Sequence, residues 1–391
     1  MKRKNFYSDD EWQKMLEFTD PLPTPFIVIN LDRVKKQYEE LAGYFPDSFI
    51  HYPVKANPAA EIITLLHRLG SNFDIASIYE MDKILSLGVP PEKILYGNTI
   101  KKASDIEYAY KKGIRLYATD CLDDIEKIAA HAPGSDILVR ILVQGGETAD
   151  WPLTRKFGCH PMSAVSLMEK AIKLGLKPQG VSFHVGSQQR AVWQWNEALI
   201  SVAAIFAMAA EQGIHLQTID MGGGFPANYI NKTHSIKEYA TEINRYLSNH
   251  FGSRRPKIIL EPGRSLVGNA GILVSEIITI SKKSRSDSHR WVFLDTGKFN
   301  GLIETMDEGT KYPVVMAEEN EKKRVGEVIL AGPTCDSVDI MYEKARYKLP
   351  LSACSGQRLY WLSTGAYTSS YASVEFNGFP SIKSYFYGIN E

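Results

Sequence analysis

Hydrophobic positions along the chain follow a repeating two-part rhythm. Short runs rich in β-branched and aromatic residues occur at Phe49 to Val54, Phe73 to Ile75, Ile94 to Tyr96, Leu116 to Ala118, Ile137 to Val143, Val181 to Phe183, Leu216 to Ile219 and Ile258 to Leu260. Between them, apolar residues recur every three or four positions, as in Ile62, Leu65, Leu66 and Leu69, or Ala198, Val202, Ile205 and Phe206. The first pattern suits strands buried on both faces and the second suits amphipathic helices. Strand–helix alternation implies a parallel sheet, and eight such units is the number that closes a (β/α)8 TIM-like barrel. An open, doubly wound sheet is the alternative, because periodicity reports alternation and not closure. Upstream, Phe26 to Ile29 followed by Leu31, Val34, Tyr38 and Leu41 predicts one further strand and helix.

Past Arg264 the texture changes. Ile272 to Ile280, Trp291 to Leu294, Val325 to Leu330, Arg358 to Leu362 and Tyr367 to Phe376 are β-rich, with Gly and Pro turns between them and few long amphipathic segments. This predicts an α/β barrel over residues 33–264 and a C-terminal, mostly antiparallel β domain over 265–391, joined by the N-terminal segment 1–32.

Composition narrows the function classes. Lys plus Arg and Asp plus Glu number 45 each, which gives no general electrostatic pull toward nucleic acid or an anionic membrane. No apolar run approaches the roughly 20 residues of a membrane span, and the charged stretch Met1 to Trp12 has no signal-peptide core, so a cytoplasmic location is expected. The cysteines at 121, 159, 335 and 354 form no C-x-x-C pair, so neither a disulfide framework nor a metal site is signalled.

In a barrel, residues at the C-terminal strand ends converge on one mouth. There the sequence places Lys55, then Asp74-Ile75-Ala76-Ser77, Gly97-Asn98, Arg140, His184-Val185-Gly186-Ser187, Asp220-Met221-Gly222-Gly223-Gly224 and Glu261-Pro262-Gly263-Arg264. Lys55 is either a solvated charge or a pocket amine whose lowered pKa would make it a Schiff-base nucleophile. The triplet Gly222, Gly223, Gly224 is either a loose turn or a backbone that approaches a phosphate, with Arg264 as a bidentate partner. It is not the dinucleotide fingerprint, since Phe225-Pro226 follows. Glu261 either pairs with a mouth cation such as Arg264 or keeps a ring nitrogen protonated; His184 is either a core histidine or a flat ring that stacks on a planar group. Beyond the barrel, Gly332-Pro333-Thr334-Cys335-Asp336 offers a thiol beside a carboxylate as a proton donor, Gly365-Ala366-Tyr367-Thr368 follows, and Met306-Asp307-Glu308 reads first as a solvated charge run.

Taken in order, Pro-Val-Lys55-Ala-Asn, Phe-Asp74-Ile-Ala-Ser, Phe-His184-Val-Gly-Ser-Gln, Gly222-Gly-Gly224-Phe-Pro, Glu261-Pro-Gly-Arg264, Gly-Pro-Thr-Cys335-Asp336 and Gly-Ala-Tyr367-Thr resemble the ornithine/lysine/diaminopimelate/arginine decarboxylases of alanine-racemase-like fold, over nearly the whole chain from about Thr24. The likeness is greatest to the bacterial ornithine and lysine/ornithine enzymes. The resemblance implies a pyridoxal 5'-phosphate enzyme, active as a homodimer with shared active sites. Lys55 would carry the cofactor, Glu261 would meet its ring nitrogen, and His184 would stack on the ring. Gly222 to Gly224, Ser187, Arg264 and Tyr367 would hold the phosphate, with Asp74 and Arg140 as supporting residues. Cys335 would protonate Cα. Asp336, and Asp307 if Glu304-Thr305 is an insertion, would bind the distal ammonium of a small diamino acid.

That inference points to decarboxylation of L-ornithine to putrescine, with L-lysine to cadaverine as a further activity. One methylene separates the two substrates, which a pocket resolves by only about 1 to 3 kcal/mol. Diaminopimelate decarboxylation is an alternative within the family, opposed by two acids that would repel a distal carboxylate. A catalytically silent regulator of the polyamine pathway is the alternative outside enzymes, opposed by the presence of Lys55, Glu261, Arg264 and Cys335.

Overall fold

The computed structural model describes residues 3–144, 146–151, 156–317 and 324–389. The chain divides into two compact units, one of residues 35–226 with 233–265, the other of residues 1–34, 227–232 and 266–391. Residues 227–232, which lie inside the alternating part of the sequence, thus group with the sheet-rich unit.

In the first unit the described residues form a closed barrel of eight strands: Ser48–Pro53, Asn72–Ile75, Ile94–Tyr96, Leu116–Thr119, Asp136–Arg140, Lys177–Ser182, Thr218–Asp220 and Lys257–Leu260. Each pairs in parallel with its neighbour, and Ile258 opposite Ser48 joins the last strand to the first. Closure removes the open-sheet alternative. Leu95, Leu138 and Ile259, with Leu116 packed against them, fill the interior as an apolar layer. The fifth strand stops at Arg140, short of the expected Val143; beyond it Ile141 N still donates to Ser182 O of the neighbouring strand, and Ile141 forms an isolated bridge with Cys159. The helices begin where side chains can satisfy free amides. Ser77 Oγ accepts from Glu80 N ahead of Ile78–Ser86, and Ser235 with Glu238 forms a reciprocal capping box ahead of Ile236–Phe251.

The second unit is built on a mixed, mostly antiparallel sheet. Its main path runs Val314–Met316, Arg358–Leu362, Gly271–Ser281, Arg290–Leu294, Val325–Ala331 and Ile340–Pro350, and Phe26–Asn30 and Lys383–Tyr387 extend it. Strand Phe26–Asn30 lies antiparallel to Gly271–Ser281, which brings the start of the chain into the C-terminal sheet. Trp12, Met15, Phe26, Val28, Val274, Tyr360 and Leu362 share its core. Arg33 ties the N-terminal helix Asp9–Thr19 down by donating to both oxygens of Glu11, at 3.0 and 3.1 Å, and stacks on Tyr7. No helix of the described residues is long and apolar enough to cross a membrane.

Candidate active site

Lys55 follows the first barrel strand in a single helical turn, Val54–Ala56, and keeps 46% of its side chain exposed. Its Nζ donates to Asp74 Oδ2 at 2.8 Å. Asp74 itself is buried at the end of the second strand, and its Oδ1 has no hydrogen-bond partner among the described residues. A buried carboxylate oxygen left in that state is unfavourable unless something polar binds there.

Two more acids lie close by. Glu261 and Asp220, at the ends of the last two strands, are near enough for each to influence the other's ionisation. Burial is the main cause that pushes both pKa values up; Asp220 and Asp74 add to it at Glu261, where Lys55 and Arg140 oppose it, and Asp74 adds to it at Asp220, where the Gly222 N–H, Arg140 and Glu261 oppose it. Two neighbouring carboxyls in a dry site resist ionising together, which favours one proton held between them. Asp220 Oδ1 also accepts the Gly222 N–H at 2.9 Å, and Gly222 O accepts from Glu261 N at 2.8 Å. Sequence listed Asp220 only as a strand-end residue; its pairing with Glu261 joins two strands, and no local pattern encodes it.

Glycine is required in the triplet by close approach. A Cβ on Gly222 would stand 2.3 Å from Phe183 O, one on Gly223 2.7 Å from Glu261 O and 3.0 Å from His184 Nε2, and one on Gly224 2.8 Å from Gly186 O. Gly222 and Gly224 also have positive φ of 62° and 103°. The triplet is therefore a tight backbone cradle. Ser187 stands beside it in the barrel unit, its Oγ accepting from Arg264 Nε at 3.2 Å and Nη2 at 3.1 Å. Arg264 is buried, so its fixed positive charge sits in a dry setting suited to an anion.

His184 Nδ1 accepts the Gly186 N–H at 3.0 Å. Burial, aided by Arg140 and Lys55, lowers its pKa to about 3, so the ring is neutral at physiological pH. Arg140 lies with its guanidinium over the Phe157 ring, 5.0 Å from the centroid. The barrel unit thus brings together Lys55, Asp74, Arg140, His184, Ser187, Gly222, Gly223, Gly224, Glu261 and Arg264.

The sheet unit carries the remaining candidates. Cys335 is exposed, and its N–H donates to Asn377 Oδ1 at 3.0 Å. Asp336 Oδ1 accepts from Val338 N at 2.9 Å. Their turn is held by Asp339, which sequence reasoning passed over. It is buried and accepts from Lys298 N at 2.8 Å, Thr334 N at 3.1 Å and Thr334 Oγ1 at 2.7 Å. Gly297 and Gly332 leave room for it, since a Cβ on either would lie within 2.3 Å of a carboxylate oxygen of Asp339. Tyr367 has a left-handed φ of 56°. In the 303–308 segment, Asp307 is exposed, whereas Glu304 is buried and accepts from Tyr312 OH at 3.3 Å. Glu308 departs from the solvated charge run expected there, since its carboxylate takes backbone N–H groups from Glu343, Lys344 and Ala345. Among the described residues no group of three His, Cys, Asp or Glu side chains is placed to hold a metal ion.

Comparison with known proteins meets this geometry. Residues 31–268 match the family model of the pyridoxal-dependent decarboxylases, pyridoxal binding domain. The chain is 34% identical over 379 residues to the lysine/ornithine decarboxylase of Selenomonas ruminantium, covering 96% of this chain and 92% of that protein. It is also 31% identical to antizyme inhibitor 2 of Xenopus laevis, over 90% of this chain and 79% of that one. The structure of the lysine/ornithine decarboxylase of Vibrio vulnificus complexed with putrescine superposes with a TM-score of 0.86 at 28% identity, covering 97% of this chain and 99% of the other.

Proposed function

The chain belongs to the pyridoxal-dependent decarboxylases, and from that premise we propose that it removes the α-carboxyl group of L-ornithine, giving putrescine and CO2, and acts on L-lysine to give cadaverine. Pyridoxal 5'-phosphate fits the barrel mouth on the structure's own terms. The glycine cradle with Arg264 and Ser187 suits a phosphate, the unpartnered Asp74 Oδ1 is an acceptor awaiting a polar group, and the Glu261–Asp220 pair offers a buried acid that holds a proton. The observation that carries the reading is Lys55. Its amine is half open at the mouth and aimed by a buried carboxylate, which is what a covalent carrier of an aldehyde cofactor needs.

When bound, the cofactor supplies an electron sink for the charge left at Cα as CO2 departs. The protein's own groups do the rest. Lys55 holds the cofactor through Nζ, and Asp74 orients that amine. Glu261, its pKa raised by burial and by neighbouring Asp220, would keep a proton at the ring nitrogen. Neutral His184 presents a flat, uncharged face to the ring, and Arg140 supports the ring hydroxyl. Gly222 to Gly224, Ser187 and Arg264 would hold the phosphate. The Cys335 thiol returns a proton to Cα and is reprotonated from solvent. Asp336 and Asp307 accept hydrogen bonds from the distal ammonium, which favours a diamino acid and disfavours the distal carboxylate of diaminopimelate.

We further propose a homodimer in which the turn bearing Cys335 and Asp336 serves the barrel mouth of the partner subunit. The similarity to an antizyme inhibitor shows that overall likeness does not by itself distinguish an enzyme from a regulator; the assembled Lys55, Asp74, Glu261 and Arg264 favour the enzyme. The test is CO2 release by the protein loaded with pyridoxal phosphate on ornithine, lysine, arginine and diaminopimelate. Turnover of ornithine and lysine is expected; a highest kcat/KM on diaminopimelate, or no turnover of any of the four, contradicts the proposal.

A further inference from the structure

The strand Ile340–Pro350 does not run evenly beside Val325–Ala331. Val328 pairs with Tyr347 and Leu330 with Tyr342, so the stretch from Tyr342 to Tyr347 bulges opposite a much shorter piece of its neighbour. Amides in such a bulge lose their ladder partners and need others. One carboxylate supplies them. The N–H groups of Glu343 and Lys344 donate to Glu308 Oε1 at 2.8 and 2.6 Å, and that of Ala345 donates to Oε2 at 2.7 Å.

Glu308 reaches the bulge because the chain before it is bent back. Asp307 and Glu308 are consecutive left-handed residues, with φ of 51° and 55°. Such geometry is unfavourable for residues with a Cβ and persists where surrounding contacts over-determine it. The contacts run both ways. Tyr342 and Tyr347 stack across the bulge with centroids 4.3 Å apart, and their hydroxyls donate at 2.7 Å to Thr310 O and Tyr312 O, just beyond the bend. The bulge and the bend therefore form a reciprocal clip.

We infer that Glu308 is a positioning residue for substrate selectivity: by capping the amides of residues 343–345 it fixes the backbone of its exposed neighbour Asp307, and so sets the reach of Asp307 toward a distal ammonium. The inference rests on the reading of Asp307 as a distal-amine residue. On that reading, in which Glu304-Thr305 is an insertion, the two residues also have a role. Both are buried, with Glu304 accepting from Tyr312 OH, and they seat the arm that carries Asp307 out to solvent. A loosened clip would let Asp307 follow either chain length, so the distinction between substrates one methylene apart would fall.

The test uses the full-length, cofactor-loaded protein and its Glu308→Ala, Glu308→Gln and Asp307→Ala variants. KM and kcat are measured for ornithine and lysine, together with hydrogen exchange at residues 343–345 and the visible absorbance of the bound cofactor. For Glu308→Ala, exchange at 343–345 is expected to quicken by about tenfold or more. The ratio of the two KM values should move toward unity, with kcat and the absorbance unchanged. Glu308→Gln, which keeps a carbonyl acceptor, should fall between and decides the matter if the alanine variant does not fold. Faster exchange with an unchanged KM ratio would overturn the selectivity role, and unchanged exchange would overturn the clip. If Asp307→Ala leaves both KM values unchanged, the reading of Asp307 fails instead. If Asp307→Ala raises them and the Glu308 variants do not, the inference about Glu308 alone fails.

Discussion

A Cβ on Gly97 would stand 2.1 Å from Oδ1 of Asp74. The absence of a side chain at the end of the third strand is thus what admits the carboxylate that receives the Lys55 ammonium at the first. Gly97→Ala should displace Asp74 and cost about 1–3 kcal/mol by overpacking. Thermal melting and the amount of cofactor retained on dialysis check this, and both should fall together.

The Lys101–Asp124 pair supplies a second prediction. Its atoms are 2.7 Å apart with both side chains essentially inaccessible, and Lys101 Nζ also donates to Asn98 O and Ala118 O, which fastens the loop after the third strand to the fourth strand and the helix that follows it. Burial lowers the Lys101 pKa and raises that of Asp124, each opposed by the other's charge. Removing one partner strands a buried charge, so Lys101→Met should cost about 3–5 kcal/mol in denaturant titration, and Lys101→Met with Asp124→Leu should recover much of that.

Acid sensitivity has an identifiable source in His51. Burial, aided by Lys257, lowers its pKa to about 3. Below its unfolded value of 6.5 the unfolded chain binds a proton that the folded chain refuses, so folding stability falls as pH falls across the window from 6.5 to about 3. His51→Gln should remove that contribution, and its stability relative to the parent should improve by up to about 1.4 kcal/mol per pH unit in that window. The raised carboxyl of Asp220 acts in the opposite sense, because there the folded chain holds the extra proton as pH falls. The comparison of variant with parent, and not the parent's own profile, therefore isolates the histidine.

Asp339 makes a prediction that separates chemistry from cofactor binding. Asp339→Ala removes the acceptor for Lys298 N, Thr334 N and Thr334 Oγ1, at about 1–3 kcal/mol for buried donors left unpaired. It loosens the turn that carries Cys335 and Asp336. The expected result is a lower kcat with cofactor affinity within about twofold of the parent, since Asp339 lies on the sheet unit and the cradle on the barrel unit. Steady-state kinetics and a cofactor titration together check it.

Much of this was legible in the sequence because it depends on local pattern. The eight apolar runs mark the eight barrel strands, and the strand-end residues Lys55, Asp74, His184, Glu261 and Arg264 follow from where those runs stop. Closure was not legible, since the pairing of Ile258 with Ser48 joins residues far apart in the chain. Nor were the residues that hold the site in shape. Gly97, Asp220 and Asp339 look like any turn glycine or strand-end acid until folding sets them against Asp74, Glu261 and Thr334. Glu308 misled most, because a charge in a polar loop reads as solvated, and only the distant bulge at residues 343–345 reveals its partners.

The most direct test of the central claim is borohydride reduction of the cofactor-loaded protein followed by peptide mass mapping. The account predicts a pyridoxyl group on the peptide containing Lys55, and loss of both that label and CO2 release from ornithine in Lys55→Ala. Stable label on a different lysine, or a Lys55→Ala protein that still releases CO2 at the parent rate, would contradict it.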